Sequence, residues 1–337
     1  MRTFDTSVLT LLMAAAALLA APAAHSQPAA SAATDARAPV VGAGYKKEFD
    51  ELAVSPKEWQ RSGSSFSFDG HSVFFVDKGT GPAIVALHGY PTSSWDFRNL
   101  LPALSANNRV VAPDLLGFGY SAKPADYGYT IAKQADMVTA LVGHLKLAKV
   151  KLLSADIGNS VVQELLARAQ SGALPFTIES VVLVNGSLFA DQFKPRFIQQ
   201  LLLSPLGGII NRSASEGALT QNLNDLVGPE KKISGTELAV YWYLLNYPAD
   251  SRLSHKIMPT GAERDVNDKR WGDALCQSTV PLRLVVGAAD PSAGAHMAEV
   301  LTLRCGKGRA FTTTVVEKAG HFPHIEYPDA TAKAIVE

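Results

Sequence analysis

The sequence predicts an α/β fold: a mostly parallel, eight-stranded sheet flanked by helices, with a helical cap inserted after the sixth strand. Three observations lead there. From residue 83 onward, short β-branched runs alternate with longer helical patterns, which implies parallel strands joined by helices on both faces. The alternation breaks at 187–275, where 89 residues of largely helical, aromatic-rich sequence are too long for a loop. At 150–170 a buried strand runs into a helix through a junction of small residues around one acidic side chain.

Composition narrows the function classes. The 337 residues carry 31 Lys+Arg against 31 Asp+Glu, so the chain has neither the basic footprint of a nucleic-acid binder nor a polybasic membrane patch. A hydrophobic content of 47% with 18% charged residues describes a globular protein with a sizeable core. The N-terminus reads as a signal peptide over residues 1–26. Arg2 supplies the charge, Val8 to Ala21 the apolar run, and Ala24-His25-Ser26 the small-residue cleavage site. The 14-residue apolar run is short against the ~20 residues that span a bilayer. Export to the periplasm or medium is therefore expected, without membrane insertion after cleavage. Residues 27–44, rich in Ala, Pro and Ser, read as a disordered linker.

The elements follow in order. Tyr45 to Arg61 predicts a short packing helix. Asp69-Gly70 between Ser64–Phe68 and His71–Val76 is a hairpin signal. Ala83–Leu87 is a buried strand, 94–104 a helix, 109–112 a strand, and 131–147 a helix. Strand 150–153, helix 158–170 and strands 178–184, 282–286 and 312–316 complete the pattern. The core thus comprises 45–186 and 276–337, and the cap 187–275.

Candidate site residues are those that follow predicted strands, because ligands of such sheets bind at the strands' carboxyl ends. Ser154-x-Asp156-x-Gly158 has the spacing of a nucleophile elbow, a strained turn that tolerates only small neighbours. Asp156 occupies the position of the nucleophile. Asp290 in Gly287-Ala-Ala-Asp-Pro291 and His321 in Gly320-His-Phe-Pro323 follow later strands, 134 and then 31 residues on. The chain order is nucleophile, acid, histidine. Taken singly, each has a plainer explanation as helix cap, turn or packing residue. Together they form a catalytic constellation.

The chemistry follows from the residue types. A carboxylate is ionised without help and can attack a saturated carbon bearing a leaving group, forming an ester with the enzyme. Water must then cleave the ester, with His321 as base and Asp290 fixing its tautomer. The backbone N–H groups of Tyr90 and Ile157 are expected to hold the oxyanion that forms on Asp156. This scheme requires a small apolar organic substrate and water, and no cofactor; no zinc-ligand spacing is present.

Residues 65–337 resemble the α/β-hydrolases, and within them the epoxide hydrolase and haloalkane dehalogenase branch that uses an Asp nucleophile. His88-Gly-Tyr-Pro91 and Asp114-Leu-Leu-Gly-Phe-Gly-Tyr-Ser121 are similar to loops of epoxide hydrolases. Pro91-Thr-Ser-Ser-Trp95, Gln163-Glu-Leu-Leu166, Asn185-Gly186 and Arg270-Trp271 resemble mesoderm-specific-transcript-like hydrolases. The resemblance implies an α/β-hydrolase fold and epoxide-hydrolase activity, with two cap tyrosines protonating the epoxide oxygen. Tyr241 is the first candidate for that role, and Tyr243 and Trp95 are further substrate-binding candidates. Ile157 stands where dehalogenases commonly carry a halide-binding Trp, which makes a haloalkane dehalogenase the second reading. An ester or lactone hydrolase, with Asp156 as acid–base or positioning group, is a third, and a non-catalytic binding protein a fourth.

The two cysteines supply a last expectation. Cys276 and Cys305 each lie shortly before a predicted strand, at the sheet's amino-terminal edge and away from Asp156. In an oxidising compartment they are expected to form a disulfide.

Overall fold

The computed structural model describes residues 42–193, 196–248, 251–306 and 308–336. The expected signal peptide, and all of the expected linker but Gly42–Gly44, lie outside them. Among the described residues no helix is long and apolar enough to cross a membrane.

Eight strands form one sheet in the order β1-β2-β4-β3-β5-β6-β7-β8. The leading hairpin is β1 (Gly63–Phe68) and β2 (His71–Lys78), paired with Phe68 opposite His71. Asp69 and Gly70 both take positive φ, 50° and 76°, as the two-residue turn requires. β2 runs antiparallel to β4 (Arg109–Pro113), and from there the sheet is parallel through β3 (Ala83–Leu87), β5 (Lys149–Ala155), β6 (Thr177–Val184), β7 (Leu282–Gly287) and β8 (Phe311–Val316). β3 is buried along its whole length, in keeping with a strand covered on both faces.

Two expected helices are each divided, for visible reasons. Tyr45 to Arg61 forms a 3-10 turn at Lys47–Glu51 and then α1 (Pro56–Ser62). Ser55 and Glu58 form a capping box and Pro56 takes the first helical turn, so a new helix starts there. In 94–104, a 3-10 turn at Ser94–Asn99 precedes α2 (Leu101–Ser105). Pro102 has no N–H to bond back into the preceding turn. The long helices α3 (Ile131–His144) and α4 (Ile157–Gln170) match expectation to within a few residues.

The insertion carries α5 (Phe197–Leu203), α6 (Gly207–Ser213), α7 (Glu216–Asn224), α8 (Gly235–Asn246), α9 (Ser254–Ile257) and α10 (Glu263–Gln277). These helices divide their packing. Leu238, Tyr241, Tyr243 and Leu244 of α8 join the hydrophobic layer on one face of the sheet, with Trp95, Leu153 and Val285. α10 packs instead on α4. There the buried Glu164 accepts from Trp271 Nε1 (2.9 Å) and pairs with Arg168 and Arg270. The chain closes with α11 (His296–Cys305), α12 (Pro323–Glu326) and α13 (Pro328–Val336). Cys276 and Cys305 are disulfide-bonded, with Cα atoms 4.7 Å apart. The bridge joins the ends of α10 and α11 just before β7 and β8 begin.

Candidate active site

Asp156 sits between β5 and α4 with φ 48° and ψ −113°, a strained conformation for a residue with a side chain. The strain is held by close packing around small residues. A Cβ on Gly158 would lie 2.6 Å from the Leu87 carbonyl oxygen, and one on Gly186 2.8 Å from the Asp156 Cα. Ser154 Oγ donates to Asn159 Oδ1 (2.7 Å), and Asn159 Nδ2 donates to the Asn185 carbonyl. Asn185 continues the network, donating to Gly320 O (2.8 Å) and accepting from Gly287 N (2.9 Å). One buried asparagine, through its side chain and its backbone carbonyl, thus ties together the segments that carry Asp156, Asp290 and His321.

Those three side chains meet. His321 Nδ1 lies 2.8 Å from Asp290 Oδ2, and its Nε2 lies 3.9 Å from Asp156 Oδ1. Asp290 Oδ1 accepts from Ser292 N (2.8 Å), which fixes the carboxylate behind the ring. The His321 loop is set from below by Glu326, whose carboxylate accepts from the N–H groups of Gly228, Gly320 and Phe322. Burial pushes the His321 imidazole down. Asp290, Asp156 and Glu326 outweigh it and raise the value to about 9. Burial likewise opposes ionisation of Asp290, but the imidazolium and the N–H groups of Ser292 and Ala293 keep it below its ordinary value.

Tyr90 N donates to Asp156 Oδ2 at 3.0 Å, so the expected oxyanion donor already engages the carboxylate. A Cβ on Gly89 would approach the Asp156 Cβ to 2.7 Å, which explains the glycine beside it. His88 plays a supporting part: its Nε2 accepts from Leu115 N (3.0 Å) and its Nδ1 faces Gly89 O (2.8 Å), so the ring is neutral and buried. Ile157, the second expected donor, opens α4 and lines the same cavity, with no hydrogen bond from its N–H to the carboxylate.

The cavity over Asp156 is small, about 30 Å³. Tyr90 and Ile157 border it from the core, and Ile257, Met258 and Arg264 from the insertion. The three substrate-binding candidates are elsewhere. Tyr241 is fully buried, edge-on to Trp95 and 3.5 Å from Arg98 Nη1. Trp95 is sealed against Val54 O by its indole N–H (3.1 Å), with the Arg98 guanidinium over its ring. Tyr243 packs on Tyr45 and Phe49, and its hydroxyl accepts from Gly42 N. Their placement has a physical reason: α8 turns its aromatic face toward the sheet layer, where large rings bury the most area.

Arg264 was missed. Between Glu263 and Asp265 it reads as part of a solvated charged turn. The available signal was periodicity, since Arg264, Trp271, Ala274 and Leu275 are the buried face of α10.

A family model described as alpha/beta hydrolase fold matches residues 82–328. The chain belongs to the α/β-hydrolase fold family. Among relatives of this hydrolase, a Mycobacterium tuberculosis protein described as putative hydrolase LipZ is 36% identical over 284 residues, covering 83% of this chain and 96% of its own. The human mesoderm-specific transcript homolog protein is 32% identical over 292 residues, covering 82% and 86%. The solved structure of haloalkane dehalogenase DbeA from Bradyrhizobium elkani superposes with a TM-score of 0.69 at 22% identity, covering 81% and 96%. That likeness bears on the fold.

Proposed function

We propose that this α/β-hydrolase acts at a saturated carbon through a covalent ester on Asp156, hydrolysed by water that His321 activates, as in epoxide hydrolases. The observation that carries the reading is the division of labour between the two oxygens of one carboxylate. Oδ2 is held by the Tyr90 N–H, while Oδ1 faces His321 Nε2 at 3.9 Å. Oδ1 forms the bond to carbon and the leaving group departs. Water then attacks the ester carbonyl, and Oδ2 becomes the oxyanion where its donor already stands.

The raised value of His321 fits this order of events. A value raised to about 9 favours the protonated imidazole in the resting site at neutral pH. Alkylation removes the Asp156 charge, one of the groups that holds His321 up, and returns the ring toward the neutral form that hydrolysis needs.

A dehalogenase-like reading gains weight from the cavity. None of Tyr241, Tyr243 and Tyr247 borders it, so an epoxide oxygen would find Tyr90 as the phenol at hand. Burial raises that phenol to about 12. Halide departure needs no proton donor. The leader motif adds export to the proposal, and a mature N-terminus at Gln27 in secreted material is the expected outcome.

The covalent step is tested with His321→Gln, which retains the nucleophile and lacks the base. Incubated with styrene oxide or a short alkyl bromide, the intact variant should gain one adduct mass, mapped to the Asp156 peptide. No adduct across both substrate classes would count against nucleophilic Asp156.

A further inference from the structure

Arg264 is 5% exposed and borders the cavity over Asp156, yet it has no carboxylate partner among the described residues. Its Nε donates to Ser160 Oγ (2.9 Å), and its guanidinium carbon lies 5.1 Å from the centre of the Phe193 ring. These contacts hold the base of the fork. Among the described residues neither Nη group has a hydrogen-bond partner and neither is a sealed polar atom, and the residue that carries them borders the cavity. Arg98, the other buried arginine among the described residues, is paired with Glu237.

A buried cation without a counter-ion is costly, and a fold keeps one where a ligand supplies the missing charge. Burial pushes the Arg264 guanidinium below its ordinary value, and Asp156 is the charge that opposes it. Asp156 is the reacting group, however, and loses its charge on alkylation. The Nη pair presents two parallel N–H donors, the arrangement that matches a carboxylate.

We propose that Arg264 is an anion-binding residue and that the substrate is a small carboxylic acid whose leaving group sits on the carbon beside the carboxylate. The assignment of the reaction rests on the proposed Asp156 ester; the anion site stands on its own geometry. For a 2-bromo acid, the Asp156 Oδ1 lone pair forms the new C–O bond and the C–Br pair departs as bromide. Water then adds to the ester carbonyl, giving its proton to His321. Cleavage of the acyl C–O bond returns that proton to the leaving alkoxide and releases the 2-hydroxy acid.

The test uses the full chain and two probes. Propanoate, which has the carboxylate and no leaving group, reads the anion site by calorimetry. 2-Bromopropanoate and the uncharged 2-bromopropanamide, matched in size and with the amide intrinsically the more reactive, read the reaction by adduct formation in His321→Gln. Propanoate should bind the wild type, and Arg264→Gln should weaken it by roughly 10- to 100-fold, with Arg264→Lys retaining part of the affinity. The acid should alkylate Asp156 faster than the amide. Absent propanoate binding, binding unchanged in Arg264→Gln, or preference for the amide would overturn the proposal, while amide adducts alone would leave the Asp156 ester intact. Arg264-dependent propanoate binding with no adduct from either bromide would do the reverse: the anion site would stand and the ester reading would fall. Should Arg264→Gln fail to fold, the wild-type preference between propanoate and propanamide, together with Arg264→Lys, decides the matter.

Discussion

Asp156 and His321 are electrostatically coupled, and pH exposes the coupling. The folded value of His321 is raised to about 9 from an ordinary 6.5. A raised value stabilises the fold fully below the ordinary value, and that contribution is lost as pH rises through about 9. Catalysis runs the other way, since hydrolysis of the ester needs the neutral ring. Single-turnover measurements should show ester hydrolysis rising with pH, with a midpoint below about 9 because the Asp156 charge is absent in the intermediate. A flat profile between pH 6 and 9 would remove His321 from that step. Tyr241 supplies the contrasting prediction. Its hydroxyl meets Arg98 and the residue does not border the cavity, so Tyr241→Phe should leave turnover within about twofold and lower stability by about 1 kcal/mol. A loss of tenfold or more would return Tyr241 to the chemistry.

At the scale of elements, α10 is what brings Arg264 over Asp156, and Glu164 on α4 is what anchors α10. Its carboxylate is 5% exposed and serves Arg168, Arg270 and Trp271 together. Burial opposes its ionisation, and these partners outweigh it to hold it below its ordinary value. Glu164→Gln should cost about 2–4 kcal/mol in denaturant unfolding, since it leaves cations and an indole N–H poorly matched. It should also loosen the seating of α10, and with it Arg264 at the cavity, raising KM more than it lowers kcat. The junction motifs Gln163-Glu-Leu-Leu166 and Arg270-Trp271 were visible in the sequence as separate strings. That they are two halves of one buried contact was not, because residues 106 apart meet only through the fold. The same limit hid the role of α8: periodicity marks an aromatic face, and only packing reveals whether it turns to a ligand or to the sheet.

Over the whole molecule, the alternation of strands and helices and the order Asp156, Asp290, His321 were legible because both depend on local pattern and chain order. The disulfide was legible for a related reason, since neighbouring parallel strands bring their preceding segments to one edge. Cys276–Cys305 closes a loop of 29 residues, and reducing it should lower stability by roughly 3–4 kcal/mol on the loop-entropy model. Thermal midpoints with and without reductant would measure this, and coincident midpoints would show the bridge to be dispensable. Arg264, Asn185 and Glu326 were not recognised as parts of the site, since each acts through partners brought together only by folding.

On the covalent route the oxygen delivered to product comes from Asp156 and is replaced there from water. A single turnover in ¹⁸O-labelled water, with wild-type enzyme in excess over styrene oxide or 2-bromopropanoate, reads this directly by peptide mass spectrometry. A covalent ester places one ¹⁸O in the Asp156 peptide and leaves unlabelled oxygen at the attacked carbon of the product. Label in the product, with none in Asp156, would mean that water attacks the substrate itself, and would contradict the covalent ester.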